Sequence, residues 1–185
     1  MPRIAPIAYE TATPAERATL DEITRQHGSA TNMKRTLAHS LPALHALLEW
    51  YPLHDTVQPF LGERLTALFC HAISVQADCL LCSTYFRREL IASGADPDEL
   101  LLDAREQAVV DFGRQLAVAA SQVDDAVYAR LATYFDPTQI VALTAFAGLM
   151  IATNVFNSAL QVELDDDLAF YRLPHLAEVE GVAHG

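Results

Sequence analysis

Basic side chains are scarce in this chain, where twelve Lys and Arg stand against twenty-four Asp and Glu in 185 residues, a formal charge of −12. The few cations are scattered, which argues against nucleic acid as a partner, because phosphates call for a concentrated basic patch. Charge of either sign is low, at 19% of residues, while 51% are hydrophobic. That is rich for a soluble monomer, so some apolar surface is expected to lie in an oligomer interface. No continuous apolar run follows Arg3, so nothing reads as a secretory signal, and a cytoplasmic location is the default expectation. Three cysteines are too few and too unevenly spaced for a secreted disulfide scaffold. No segment keeps strict apolar–polar alternation, glycine is sparse at seven residues, and no fixed-period repeat is visible.

What is present is helix punctuation. Thr13-Pro14-Ala15-Glu16 is a capping box with Pro at the first helical position, and Gly28 closes the helix it starts, over Pro14–His27. Residues 1–12, with Pro2 and Pro6, read as an extended arm on the body. Shorter helices are expected at 32–40 and 42–51, the second stopped by Pro52, with a loop at 52–62. Asp96-Pro97-Asp98-Glu99 predicts a short helix that bends near Asp103 into a longer one reaching Ala120. Asp124 or Asp125 caps a helix through Tyr134, and Asp136-Pro137-Thr138-Gln139 caps one through Leu160. A last turn is expected at 168–172. The uncharged run 140–160 is long enough to span a bilayer. Thr144, Thr153, Asn154, Asn157 and Ser158 interrupt it, however, so it reads as a central buried helix and no membrane partner is expected. The sum is an all-α, single-domain helical bundle of seven to nine helices. An arm and first helix occupy 1–29, the body 30–173 and a tail 174–185.

The chemistry-bearing stretch is 63–94, which holds Cys70 and the chain's only C-x-x-C, Cys79-Leu-Leu-Cys82. Apolar residues recur at helical spacing on both sides of the pair. Asp78 suits an N-cap, which would place both cysteines in the first turn of the second helix of a pair. The free N–H groups and positive dipole end of a helix stabilise a thiolate, the reactive form of cysteine. A spacing of three puts both sulfurs on one face, near enough for a disulfide after local adjustment.

The cysteine helix pair, followed by a short helix, a long helix, a capped short helix and a final apolar helix ending NVFNSALQVELDDD, resembles the carboxymuconolactone decarboxylase and alkylhydroperoxidase D-like superfamily over roughly residues 30–170. The resemblance implies a thiol-dependent peroxidase-related oxidoreductase. Cys82 would attack a small-molecule hydroperoxide, Cys79 would resolve the sulfenic acid to a disulfide, and an external dithiol would reduce it. It also implies a homo-oligomer, whether dimer, trimer or hexamer. The family's redox members carry a Glu and a His as a proton relay, and at those positions this chain has Ala67 and Phe86. The final helix has Asn154-Val155 where members often have Asn-Arg.

Candidates for the missing relay follow from helix spacing. His71 lies one turn beyond Ala67 and is the named base, with a hydrogen-bonded core or interface histidine as the alternative. Asp78 and Tyr85 are weighed against simple capping and core packing; a carboxylate beside the thiols would raise their pKa. Cys70 reads as a buried small hydrophobe. Asn154 and Asn157 could line a pocket or satisfy an interface contact. No metal or other cofactor is expected: structural zinc takes four ligands, and adjacent Cys70 and His71 would point about 100° apart on a helix. His39, His45, His54, His175 and His184 have no partner that spacing justifies. Two other functions stay open: a non-enzymatic oligomeric binding protein of the same fold, motivated by Ala67 and Phe86, and a disulfide reductase without peroxidase activity.

Overall fold

The computed structural model describes residues 1–172, so the tail 174–185, with His175 and His184, lies outside the described residues. Within them the chain is all α-helix and turn, with no strand. The capping boxes set three helices. In α1 (Pro14–His27) the Thr13 N–H donates to Glu16 Oε2 at 2.7 Å, while Gly28 at φ 77° turns the chain out through the left-handed region. In α7 (Ala104–Ala119) Asp103 and Glu106 make the same reciprocal pair, and in α9 (Pro137–Leu160) Asp136 and Gln139 do so.

The other helices are α2 (Asn32–Leu37), α3 (Leu41–Leu48), α4 (Trp50–Leu61), α5 (Glu63–Gln76), α6 (Leu80–Ala92) and α8 (Asp125–Leu131), the last capped by Asp124 and ending short of Tyr134. A 3-10 turn at Asp166–Tyr171 closes the described chain.

Three sequence expectations need correction. Residues 52–62 are not a loop: α4 runs through them to Leu61, because Pro52 falls in its first turn, where no intrahelical N–H is needed, while Pro59 lies inside the helix near its end and removes one intrahelical N–H bond. Residues 96–99 form turns rather than a helix, with the Asp98 N–H donating to Asp96 Oδ1 at 2.9 Å and the Asp98 carboxylate held by Arg87 at 2.8 Å. Asp78 is not an N-cap. It takes φ 50°, the left-handed step that lets the chain reverse between α5 and α6, and it is exposed. The cap position passes to Cys79.

α5 is the centre of the body. It packs on α4, α6, α7 and α9, and Phe69 and Ile73 on it are fully buried. Against α7 it packs tightly, with Gly113 standing against the Phe69 ring. α9 is long and apolar enough to cross a membrane by length and composition. In this fold one stripe of it, through Leu143, Phe146, Ala147 and Met150, is core, while Val141 and Val155 stay exposed.

A second apolar cluster, built from Ile7, Leu20, Ile23, Leu37 and Leu44, joins the arm and α1 to α2 and α3. Backbone bonds from Arg3 N to Leu160 O (2.9 Å) and Ile7 N to Arg35 O (3.3 Å) lay the arm across the end of α9.

Candidate functional site

The reversal at 77–79 fixes the cysteines. The Cys79 N–H donates to Ser74 O at 3.0 Å, so Cys79 stands at the start of α6 and Cys82 sits one turn in. Both thiols are free and buried, and the two sulfurs interact with each other. The pair's acidity is split by that interaction. Hydrogen bonding from the Cys82 thiol favours a Cys79 thiolate, and the first-turn N–H groups of Cys82 and Leu81 and the Ser158 hydroxyl add to it. Cys79 is thereby held below the ordinary thiol range. The same interaction, together with burial, pushes Cys82 well above it. Asn157 acts the other way: its Nδ2 donates to Cys82 Sγ at 3.2 Å and to Met33 Sδ at 3.4 Å.

Cys82 faces a cavity of about 550 Å³ and Cys79 does not line it. The walls come from the chain's first third (His27, Met33, Lys34, Trp50, Tyr51), from α6 (Tyr85, Phe86, Arg88) and from the far end (Met150, Asp165, Asp167). Lys34 is only 4% exposed, and burial lowers its pKa to about 8 against the opposing pull of Asp165. Burial raises the Tyr51 phenol to about 12. His27 stacks on Tyr51 with ring centroids 4.1 Å apart, and burial lowers its pKa.

His71 is not part of this cavity. It sits among Arg87, Arg114 and Asp98, and burial with the two guanidiniums lowers its pKa to about 4, so it is neutral. Its buried Nε2 has no hydrogen-bond partner among the described residues. Ala67 is in the core, whereas Phe86 forms cavity wall. Cys70 is fully buried, and burial raises its thiol. Asn154 accepts from Ser74 Oγ at 3.4 Å behind the thiols, its Nδ2 buried without a partner, as is Asn157 Oδ1. Among the described residues no three His, Cys, Asp or Glu side chains converge as a metal ion would need.

Sequence reading placed the cysteines but gave no role to Lys34, Trp50, Tyr51 or Ser158. The first three carry no motif and reach the site only because α1 to α4 fold over α6. Ser158 could have been paired with Asn154 and Asn157 by helical spacing.

No family model and no curated protein matches the chain. Solved structures do. A peroxidase-related protein with an alkylhydroperoxidase AhpD core from Ralstonia eutropha JMP134 superposes with a TM-score of 0.73 at 18% identity, covering 94% of this chain and 97% of that one. A peroxidase-related protein from Silicibacter sp. TM1040 gives 0.71 at 17% identity, over 89% and 93%. A cysteine-to-alanine variant of the debrominase Bmp8, in complex with 2,3,4-tribromopyrrole, gives 0.74 at 14% identity, over 95% and 96%. With nine α-helices among the described residues and this superposition, the chain has the all-α alkylhydroperoxidase D-like fold.

Proposed function

We propose that the protein is a thiol-dependent oxidoreductase in which Cys79 and Cys82 cycle between dithiol and disulfide while reducing an organic hydroperoxide. The observation that carries this reading is the division of labour between the sulfurs: Cys82 Sγ faces the cavity, and Cys79 behind it shares a proton with it.

The pair enters as one thiolate and one thiol. As Cys82 sulfur attacks the hydroperoxide, its proton shifts to Cys79 across their contact, and Asn157 supports the anion on Cys82. The O–O bond breaks, Cys82 becomes a sulfenic acid, and the leaving alkoxide takes the proton from Cys79. The Cys79 thiolate then attacks Cys82 sulfur and expels hydroxide, giving the disulfide. An external dithiol restores both thiols. In this scheme the second cysteine supplies the proton that Ala67 and Phe86 cannot. The test is peroxide consumption with dithiothreitol. Turnover should vanish in Cys82→Ser, and equal rates in variant and wild type sink the mechanism.

A second substrate reading is a halogenated heteroaromatic. Its support is the aromatic wall around Cys82 and the debrominase of the same fold. Sulfur would take the halogen, the carbanion would take the thiol proton, and Cys79 would expel halide, giving the same disulfide. Halide release separates the two readings.

The protein would work as a homo-oligomer. α9 leaves Val141, Ala145, Gly148, Ala152 and Val155 exposed along one uncharged stripe, next to Ser158 and the thiol pair. Light scattering tests this: a mass of one chain, 20.3 kDa, at micromolar concentration refutes it.

A further inference from the structure

The cavity wall holds a cation with too little to bind. Lys34 Nζ donates to Ser29 O at 3.0 Å and lies 5.3 Å from the centroid of the Tyr51 ring. Among the described residues no carboxylate comes within 4.0 Å of it, although the side chain is almost fully buried. The other charged groups lining the cavity have closer partners, with Asp165 pulling on Lys34 only at a distance. Arg88 pairs with Glu89 and Asp167 at 3.1 and 2.7 Å, and Asp165 Oδ1 accepts from Asn32 N at 2.7 Å. Burial keeps His27 neutral against Tyr51.

A second donor is also left over. Trp50 lines the cavity, and its buried indole Nε1 has no acceptor among the described residues. Between these polar groups the wall is apolar, with the rings of Trp50, Tyr51, Tyr85 and Phe86 and the thioethers of Met33 and Met150 set among leucines. Such a surface suits a flat π-system, and a volume of about 550 Å³ fits a small organic ligand of one or two rings. A buried ammonium with unused donor capacity calls for an anionic oxygen.

We propose that this cavity binds a planar, weakly acidic aromatic molecule of the phenol class, held as its phenolate on Lys34 with its ring among Trp50, Tyr51 and Phe86. This names the aromatic part of the substrate for the reaction proposed above, the same molecule also carrying the hydroperoxide or the halogen that Cys82 attacks, and it rests on Cys82 being the reacting sulfur. The binding test is therefore run where that chemistry cannot occur.

The probe is 4-nitrophenol, whose phenolate is yellow, titrated into Cys82→Ser at a pH where the free probe is largely protonated. Binding should deepen the colour and quench the fluorescence of Trp50, the chain's single tryptophan. Lys34→Met should weaken binding at least tenfold and abolish the colour gain. A comparison needing no change at Lys34 uses 4-nitroanisole, which has the same ring and cannot ionise; it should bind at least tenfold more weakly. Equal binding of the two probes, unchanged affinity in a folded Lys34→Met, or no binding of 4-nitrophenol at millimolar concentration overturns the proposal. Intact probe binding without peroxide or halide turnover sinks the reaction alone, and turnover without probe binding sinks the site alone.

Discussion

Asn157, near the end of α9, donates to the sulfur of Cys82 at 3.2 Å across 75 positions of sequence. It opposes the influences of Cys79, burial and Cys70 that hold the proton on Cys82, so it tunes the sulfur that faces the cavity. A hydrogen bond to a charged group contributes about 1.5–3 kcal/mol. Asn157→Leu is therefore expected to slow alkylation of Cys82 by iodoacetamide about tenfold or more at neutral pH and to move its pH profile upward. Asn157→Asp should slow it further, since a carboxylate beside sulfur disfavours the thiolate. An unchanged alkylation profile in Asn157→Leu would refute this role.

His71 gives the fold an acid limit. Its ordinary pKa of 6.5 is lowered to about 4 in the folded protein, so between these values the unfolded chain takes a proton that the folded chain refuses. Stability is full above about pH 6.5 and falls by up to about 3 kcal/mol as pH drops to about 4. His71→Leu should flatten that limb in urea melts recorded at several pH values. If the slope between pH 6.5 and 4 is the same in both proteins, His71 does not set it.

Gly113 on α7 packs directly against Phe69 and Ile73 of α5. A Cβ there would lie 2.8 Å from Phe69 Cε2 and 3.1 Å from Ile73 Cγ1, and both side chains are fully buried. Overpacking costs about 1–3 kcal/mol, against the roughly 1 kcal/mol that alanine gains over glycine in a helix. Gly113→Ala should lose about 1 kcal/mol net, a fall in Tm of about 2–4 °C. A raised Tm would contradict the packing described.

Lys34 shows the opposite sign. Burial lowers its pKa from 10.5 to about 8, so below about 8 the folded protein carries a charge it would be more stable without. Lys34→Met is expected to gain about 1–2 kcal/mol at neutral pH. The gain should shrink as pH rises from about 8 to 10.5, where the wild-type lysine is neutral in the folded state. Parallel chemical denaturation at pH 7 and at higher pH measures this directly; a loss of stability at pH 7 would show that Lys34 is a structural group.

Much of the helix order was legible because its signals are local. Thr13, Asp124 and Asp136 announce α1, α8 and α9 within four residues each, and the bounds of α1 and α9 follow from them. Prolines misled at α4, since Pro52 and Pro59 read as breakers, yet Pro52 occupies the first turn where no N–H is needed and the helix continues through Pro59 at the loss of one bond. At Asp78 residue type suggested a cap, but the tight reversal into α6 required a left-handed residue at that position, which Asp tolerates. The C-x-x-C located the thiols. Their surroundings were not readable, because the wall of Lys34, Trp50 and Tyr51 is made by contacts between distant segments that leave no periodicity in the chain. His71 has the helical spacing of a relay, yet its charged neighbours Arg87, Arg114 and Asp98 belong to α6, α7 and the turn at 96–99.

The contact from Asn157 to Cys82 also sets a timetable during synthesis. Cys82 leaves the ribosome 75 residues ahead of the asparagine, and Cys79 earlier still. At about 5–20 residues per second the nascent chain waits several seconds before α9 can dock. Until then α5 and α6 can pair without Asn157 on Cys82 sulfur, without Ser158 on Cys79, and without the cavity wall from Met150 and Asp165. A half-made chain thus carries the thiol pair without its support from α9, and the site is complete only when translation of α9 is finished.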